Sequence, residues 1–247
     1  MPEKKESVAL LVAAGDAIGA GVARRFAEGG YKVVIARRDA SKSQALVDEL
    51  SAAGRNIRAF STDARDEATV QALFEQVERE VGPVEVCLFN GGANIGRPLL
   101  ETTQKIFFRA WEFACYAGFL TGREAARYMT ARGRGTILFT GATASLRGGK
   151  NFAAFAAAKF GLRAVAQSMA RELGPKNIHV AHLIIDGPID SAEIHRRMKE
   201  SGVDPSTLPP DTMIKTSSIA EAYWYLHSQP RDAWTHELDL RPSAETW

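Results

Sequence analysis

The chain has 247 residues, of which 45% are hydrophobic and 24% charged, a balance typical of a globular domain with a buried core. Its net charge of +2 is too close to neutral to predict binding to nucleic acid or to an anionic membrane surface. The two cysteines cannot form a disulfide framework, and without a Cys/His cluster they predict no metal site.

The N-terminal segment indicates a cytoplasmic location. Met1–Glu6 run directly into a short apolar stretch, without the long apolar region and cleavage site of a signal peptide. No apolar stretch in the sequence approaches the length needed to span a bilayer. We therefore expect a cytoplasmic protein whose Cys87 and Cys115 are reduced, small core residues.

Short apolar runs alternate with longer helical patterns along the chain. The runs that predict strands are Val8–Val12, Lys32–Ala36, Ile57–Ser61, Val84–Asn90, Gly135–Thr140, His179–Ile185 and Leu238–Leu240. The patterns that predict helices are Gly19–Gly29, Ser41–Ala53, Glu67–Val81, Thr103–Ala131, Phe152–Leu173 and Ser218–His227. This alternation predicts one α/β domain over residues 1–247, a Rossmann-like, doubly wound parallel sheet with helices on both faces.

One long irregular stretch, Ser191–Ser217, follows the sixth predicted strand. It holds a short helical piece and then two proline-containing turns. Such a long insertion in a compact domain is often functional, which predicts a lid over a substrate. A surface loop without a function is the alternative interpretation.

A glycine-rich turn joins the first strand to the first helix. It comprises Gly15, Asp16, Ala17, Ile18 and Gly19, followed by Ala20 and Gly21. Glycines at such a turn let the backbone approach a pyrophosphate, while the helix N-terminus offers N–H groups and a positive dipole. The strand before the turn and the helix after it favour a dinucleotide site over a structural turn.

The end of the second strand indicates which dinucleotide binds. An acidic residue there would accept hydrogen bonds from the adenosine ribose, but this chain has Arg37 and Arg38. Because guanidinium groups bind phosphate, the pair favours NADP(H), with NAD(H) less favoured. Two solvent-exposed arginines at the start of a loop are the alternative interpretation.

The order and spacing of these motifs resemble the short-chain dehydrogenase/reductase family over nearly the whole chain. The resemblance implies that Asp63 and Ala64 bracket the adenine. It also implies that Asn90, Gly91 and Gly92, within Phe89-Asn90-Gly91-Gly92-Ala93, line the cofactor. Asp186 to Asp190 occupy the family's Pro-Gly position, which places Ile189 near the nicotinamide carboxamide. The family's frequent basic residue in the glycine turn is replaced by Ile18.

The same resemblance implies that the proton-transfer site is incomplete. In the family a Tyr transfers the proton, a Lys lowers its pKa and holds the ribose, a Ser orients the carbonyl and an Asn assists. Lys159 occupies the lysine position. Phe155, Ala142 and Ala114 occupy the tyrosine, serine and asparagine positions.

Four residues are candidates for the remaining chemistry. Thr143 and Ser145 carry hydroxyls on the same turn as Ala142, and Asp186 is an acid in an unusual place. Lys159 is the fourth, with ribose binding alone as its alternative role. For Asp186 the alternative is a turn-forming or capping aspartate.

The helical segments Thr103–Ala131 and Phe152–Leu173 are rich in apolar residues. They resemble the helix pair through which family members assemble, which implies a homodimer or homotetramer; complete burial within one subunit is the alternative. The sequence thus predicts an atypical NADP(H)-dependent oxidoreductase that acts on a small carbonyl, enone or imine. The contrasting hypothesis is a catalytically inactive NADP(H)-binding sensor or assembly subunit.

Overall fold

A computed structural model describes residues 7–92 and 94–245, so Met1–Glu6 and Ala93, both used in the sequence analysis, lie outside the described residues. Seven parallel strands form one sheet in the order β3-β2-β1-β4-β5-β6-β7. The strands are β1 (Val8–Val12), β2 (Lys32–Arg37), β3 (Ile57–Ser61), β4 (Val84–Phe89), β5 (Gly135–Thr140), β6 (Ile178–Ile185) and β7 (Glu237–Leu240).

The α-helices cover both faces of this sheet, which confirms the predicted fold class. They are α1 (Ile18–Glu28), α2 (Gln44–Ala52), α3 (Glu67–Glu80), α4 (Gln104–Trp111), α5 (Ala117–Arg132), α6 (Ala153–Leu173), α7 (Ala192–Glu200) and α8 (Thr216–Ser228). Within the described residues, none of these helices is both long and apolar enough to cross a membrane.

The residues of β1 show how the two layers of helices are held. Val8, Leu10 and Val12 point into a core formed with α3, α5 and α6. Ala9 and Leu11 point the opposite way, into a core formed with α1 and α8. Because side chains alternate along a strand, an apolar run without polar interruption buries both faces.

The predicted helix Thr103–Ala131 is wrong in one respect, because it is interrupted. A π-helical turn, Glu112–Tyr116, separates α4 from α5 and brings the rings of Trp111 and Tyr116 into a stack 5.9 Å apart. Such a turn holds an extra residue, which an apolar periodicity of 3.6 does not reveal. It falls at Ala114, the position that corresponds to the family's asparagine.

The helix predicted to begin at Ser41 instead begins at Gln44. The side chain of Asp39 caps a 3₁₀ turn over Ala40–Ser43, which takes up the first residues of the predicted segment. The irregular segment 191–217 contains α7, whose N-cap is Ser191, and its last two residues already belong to α8.

Close packing between α1 and α8 generates a stability prediction. A Cβ on Gly21 would lie 2.9 Å from the backbone oxygen of Thr216. We expect Gly21→Ala to destabilise the fold by about 1–3 kcal/mol, because backbone atoms must move to admit the methyl group. Urea unfolding measures the change.

Gly148→Ala is the matched control, since no atom lies within 4 Å of its added Cβ, its φ lies outside the left-handed region and the residue is exposed. Its added methyl group meets no neighbour, so we expect little change in stability. Equal urea midpoints of unfolding for the two variants would contradict the close packing of α1 against α8 as the cause.

Candidate active site

The glycine turn is shaped to receive an anion. A Cβ on Gly19 would lie 2.7 Å from the Cβ of Ala14, so only glycine permits this tight turn. Ala17, the N-cap of α1, makes no side-chain capping bond, and the first turn of the helix contains no acidic residue. The helix N-terminus therefore presents backbone N–H groups and a positive dipole to a ligand rather than to its own side chains.

A groove of about 320 Å³ runs from this turn across the carboxyl ends of β1, β2 and β3. Its walls combine the turn, the end of β2 and the segment after β3. The lining residues are Ala13, Ala14, Gly15, Arg37, Arg38, Asp39, Lys42, Thr62, Asp63, Ala64 and Phe113. Three of them are cationic and two are acidic, so the groove suits the adenosine and phosphate groups of a dinucleotide.

Two ion pairs organise the charges of this groove. Arg37 donates from Nη1 to Oδ1 of Asp16 at 2.5 Å, which joins the end of β2 to the glycine turn. Arg65 holds both oxygens of Asp63, at 2.9 and 2.5 Å, and these hydrogen bonds lower the pKa of the Asp63 carboxyl. Asp63 is therefore a charged group of fixed orientation beside buried Ala64.

The far end of the site is built on a hydrogen-bond chain between β4, β5 and α8. Asn90 donates its backbone N–H to Val12 at 3.0 Å, and its side-chain oxygen accepts from Thr140 at 2.9 Å. The hydroxyls of Thr140 and the fully buried Tyr223 lie 2.7 Å apart. The structure thus assigns Asn90 a fixed orientation at the edge where ligands of open α/β sheets bind.

Lys159 lies at the centre of the site and is only 3% exposed. Its Nζ donates to the backbone oxygens of Thr140 at 2.7 Å and Gly91 at 3.1 Å. A Cβ on Gly92 would come within 2.9 Å of this amine. Burial lowers the pKa of Lys159 to about 8, because desolvation disfavours the charged amine.

Apolar groups occupy the three positions around this lysine that the resemblance described above aligns with proton-transfer residues. Phe155 is one helical turn before Lys159, and its ring centroid lies 6.0 Å from Nζ. Phe155 packs with Ala142 and Ala144 of the turn after β5. Ala114 is buried in the π-helical turn. Hence no hydroxyl stands at the three corresponding positions.

The other candidates separate into two groups. Ser145 is fully buried, and its hydroxyl accepts the backbone N–H of Ala142 at 3.1 Å, so it shapes the turn rather than facing a substrate. Thr143 is half-buried and hydrogen-bonded to Asp186, which is fully buried. Thr143 and Asp186 therefore form one unit between the ends of β5 and β6.

The start of the segment 191–217 lies beside this unit. Ile189 pairs with Ile214 in an isolated β-bridge, which ties the two ends of the segment together. His195, on α7, has its Nε2 2.9 Å from Oδ1 of Asp190. This contact brings the first turn of α7 close to the chain next to Ile189.

Sequence reasoning missed three residues of the site. Arg147 and Arg241 both pair with Asp186, from the turn after β5 and from the end of β7. Phe113 enters the groove from the π-helical turn. Arg147 and Arg241 are far apart in sequence, and only the order of strands in the sheet brings them together.

Comparisons with known proteins agree with this geometry. Residues 7–201 match the family model for short chain dehydrogenases. A short-chain dehydrogenase structure from Rhodopseudomonas palustris has 49% identity and a TM-score of 0.82, covering 96% of this chain and 99% of that one. The 3-oxoacyl-(acyl-carrier-protein) reductase MabA of Mycobacterium tuberculosis is 30% identical over 186 residues, 75% of this chain and 70% of that protein. A metagenomic short-chain oxidoreductase in complex with NADP shares the fold, at 24% identity and a TM-score of 0.82, over 98% of this chain and 99% of that one.

The buried lysine predicts a specific dependence of stability on pH. Folding lowers the pKa of Lys159 from 10.5 to about 8, so between these values the unfolded chain binds more protons. The free energy of unfolding should therefore rise with pH across this window, by up to about 3 kcal/mol from this residue. Chemical denaturation of the wild type and Lys159→Met at several pH values measures the difference.

In that experiment Lys159→Met removes the titrating group but keeps a long side chain. We expect the wild type to gain stability relative to the variant as the pH rises from 8 to 10.5. A difference that stays constant over this range would show that Lys159 is not desolvated.

Proposed function

Because this chain belongs to the short-chain dehydrogenase/reductase family, we propose that it is an NADP(H)-dependent oxidoreductase that works without the family's tyrosine. The observation that carries the proposal is the buried amine of Lys159 beside Gly91 and Gly92. Burying a lysine without a carboxylate is costly, and an apolar side chain would fill the same space more cheaply. A role in binding a nicotinamide ribose explains that cost.

The preference for NADP(H) rests on the cations of the groove. Arg37, Arg38 and Lys42 line its wall at the end of β2, where a 2′-phosphate would lie. Arg37 uses one nitrogen for Asp16, and its remaining N–H groups suit a phosphate. The acidic Asp39 at the same end is engaged by the backbone and hydroxyl of Ser41, so it does not face the ribose as a free acceptor.

The reaction proposed is hydride transfer to or from a small carbonyl, enone or imine. Bound NADP(H) supplies the hydride, and the chain positions the two reactants. Phe155 offers an apolar wall and no proton. Lys159, with its pKa lowered to about 8, can exchange a proton near neutral pH through a ribose hydroxyl. We assign Thr143 and Asp186 to the substrate side of this site.

A second candidate function is a nucleotide-binding sensor or assembly subunit without catalysis. Phe155, Ala142 and Ala114 favour it, since all three positions are apolar together. The cofactor groove serves either function, so reactivity of bound NADPH decides between them.

We also propose that the segment 191–217 covers the substrate. No residue of α7 is buried, so this helix is not part of either core. The bridge between Ile189 and Ile214 joins the chain just before the segment to its C-terminal part, which supports an element held at both ends. An element held at its ends and unpacked along its length is suited to move over a ligand.

We also propose that the chain self-associates through exposed apolar residues of α4, α5 and α6. Phe107, Phe108, Phe119 and Phe160 are between 36% and 57% exposed in the single chain. Clustered exposed aromatics usually mark a contact surface, and a second copy of this chain would cover them. Such pairing supports a homodimer or homotetramer.

Replacing the two arginines tests the cofactor assignment. We expect Arg37→Ala with Arg38→Ala to weaken NADPH binding by roughly 10- to 100-fold, because charge-assisted bonds to the 2′-phosphate are lost. NADH binding should change by less than about threefold on the same argument. Isothermal titration measures both, and Arg79→Ala, remote on α3 and 69% exposed, serves as the control.

Restoring the missing hydroxyl tests the catalytic assignment. Phe155→Tyr places a phenol one helical turn before Lys159, where positioned acid catalysis is worth roughly 10²- to 10⁴-fold. We expect stopped-flow oxidation of NADPH by ketones to accelerate by that order in the variant, and the wild type to react selectively with enones or imines.

Binding of NADPH is measured on the same samples. If NADPH binds but neither protein oxidises it with any ketone, enone or imine, the oxidoreductase assignment fails and the sensor function replaces it.

A further inference from the structure

The turn after β5 carries a hydroxyl whose hydrogen is already committed. Thr143 Oγ1 lies within hydrogen-bonding distance of Oδ1 of Asp186. A carboxylate can only accept, so Thr143 donates its single hydrogen to Asp186. Toward any other group Thr143 then presents lone pairs alone, which makes it an acceptor.

Two arginines hold Asp186 in this role. Arg147 donates from Nη1 to Oδ2 at 3.1 Å and from Nη2 to Oδ1 at 3.4 Å. Arg241 places Nη1 2.8 Å from Oδ2. Asp186 is fully buried, and these two positive groups neutralise a charge that would otherwise be costly. The carboxylate is thus fixed on the far side of Thr143.

Two side chains close to Thr143, those of Ser145 and Phe155, offer no donor to a substrate. Ser145 is buried and receives the N–H of Ala142. Phe155 packs against Ala142 and Ala144 and has no polar atom. A substrate placed over this turn therefore meets an apolar wall and the acceptor oxygen of Thr143.

We propose that this site selects a substrate whose reacting carbon is bonded to an atom bearing an N–H or O–H, and that the group recognised is a protonated imine. The proposal rests on the oxidoreductase function above. A ketone oxygen is itself an acceptor and would face the lone pairs of Thr143, whereas an iminium N–H would donate to them. A hydrogen-bonding site rejects the analogue that leaves its polar group unpaired.

The balance of protons favours an iminium over an alcohol. Reduction of an iminium by NADPH forms a C–H bond and turns the C=N π pair into the nitrogen lone pair, giving an amine and NADP⁺. The nitrogen keeps its hydrogen, so no side chain gains or loses a proton. Oxidation of an alcohol must instead release the hydroxyl proton, and the hydroxyl of Thr143, which would accept that hydrogen bond, is not a base that retains the proton.

Two ligands of matched size test whether the site prefers a hydrogen-bond donor to an acceptor. The ligands are protonated 2-methyl-1-pyrroline, which bears N–H, and 2-methylcyclopentanone, which has the same ring size and an acceptor oxygen. For the wild type with NADPH we expect kcat/KM to favour the iminium by at least roughly tenfold. Titration calorimetry of the NADP⁺-loaded protein with each ligand gives the same preference in Kd without turnover.

Variants of Thr143 and Asp186 show whether this pair causes the preference for the iminium over the ketone. Thr143→Val keeps the shape and removes the acceptor, so the preference should fall roughly tenfold, while Thr143→Ser should retain it. Asp186→Asn introduces an amide that can donate to Thr143 and release its hydrogen, which should shift the preference toward the ketone. If Asp186→Asn does not fold, the Val and Ser variants decide the question alone.

The outcomes separate the two claims. Failure of the wild type to bind NADPH overturns the proposed function and this inference together. NADPH binding with a ketone preferred, or with an iminium preference that Thr143→Val does not alter, overturns the inference and leaves the oxidoreductase function standing.

Discussion

The site depends on one buried interaction, the donation of the Lys159 amine to the backbone oxygens of Thr140 and Gly91. These bonds join α6 to the ends of β5 and β4, the edge at which a dinucleotide would bind. Forming these bonds requires desolvation of the amine, which lowers the pKa of Lys159 to about 8. An amine with that pKa is poised between charge states close to neutral pH, so the group that organises the site can also exchange protons there.

Phe155, at the position that the resemblance aligns with a tyrosine, carries no hydroxyl, which limits what this arrangement can do. Phe155 contributes packing close to the lysine, but it moves no proton. Hydride transfer depends on placement, which the glycine turn, Asn90 and Lys159 can still provide. With Phe155 in place of a tyrosine, the rate of reduction should fall least for substrates that already carry the proton that the product needs. The hydrogen bond from Thr143 to Asp186 leads to the same class of substrate by a separate route, because it leaves an acceptor oxygen on the turn after β5.

Much of the architecture could be predicted from the sequence, since alternation of apolar runs with amphipathic patterns fixes the element order and the parallel sheet. Gly19 and Arg37 were predicted as cofactor residues from their places after the first and second strands, and Lys159 from the resemblance to the family. The π-helical turn at Ala114 was not, because one extra residue in a helix leaves no signature in composition. Nor were the roles of Arg147 and Arg241: each is an ordinary surface residue in sequence, and only the strand order brings both to Asp186.

The central claim is that a chain without the tyrosine still transfers hydride from bound NADPH. The most direct test is mass spectrometry of the product after incubation of the wild type with NADPH deuterated at the transferable position of the nicotinamide and with the protonated cyclic imine. The account predicts one deuterium on the carbon bonded to nitrogen in the amine product, and no label when Lys159→Met replaces the wild type. Tight NADPH binding with no deuterium in any product from imines, enones or ketones would contradict the account and identify a nucleotide-binding protein without catalysis.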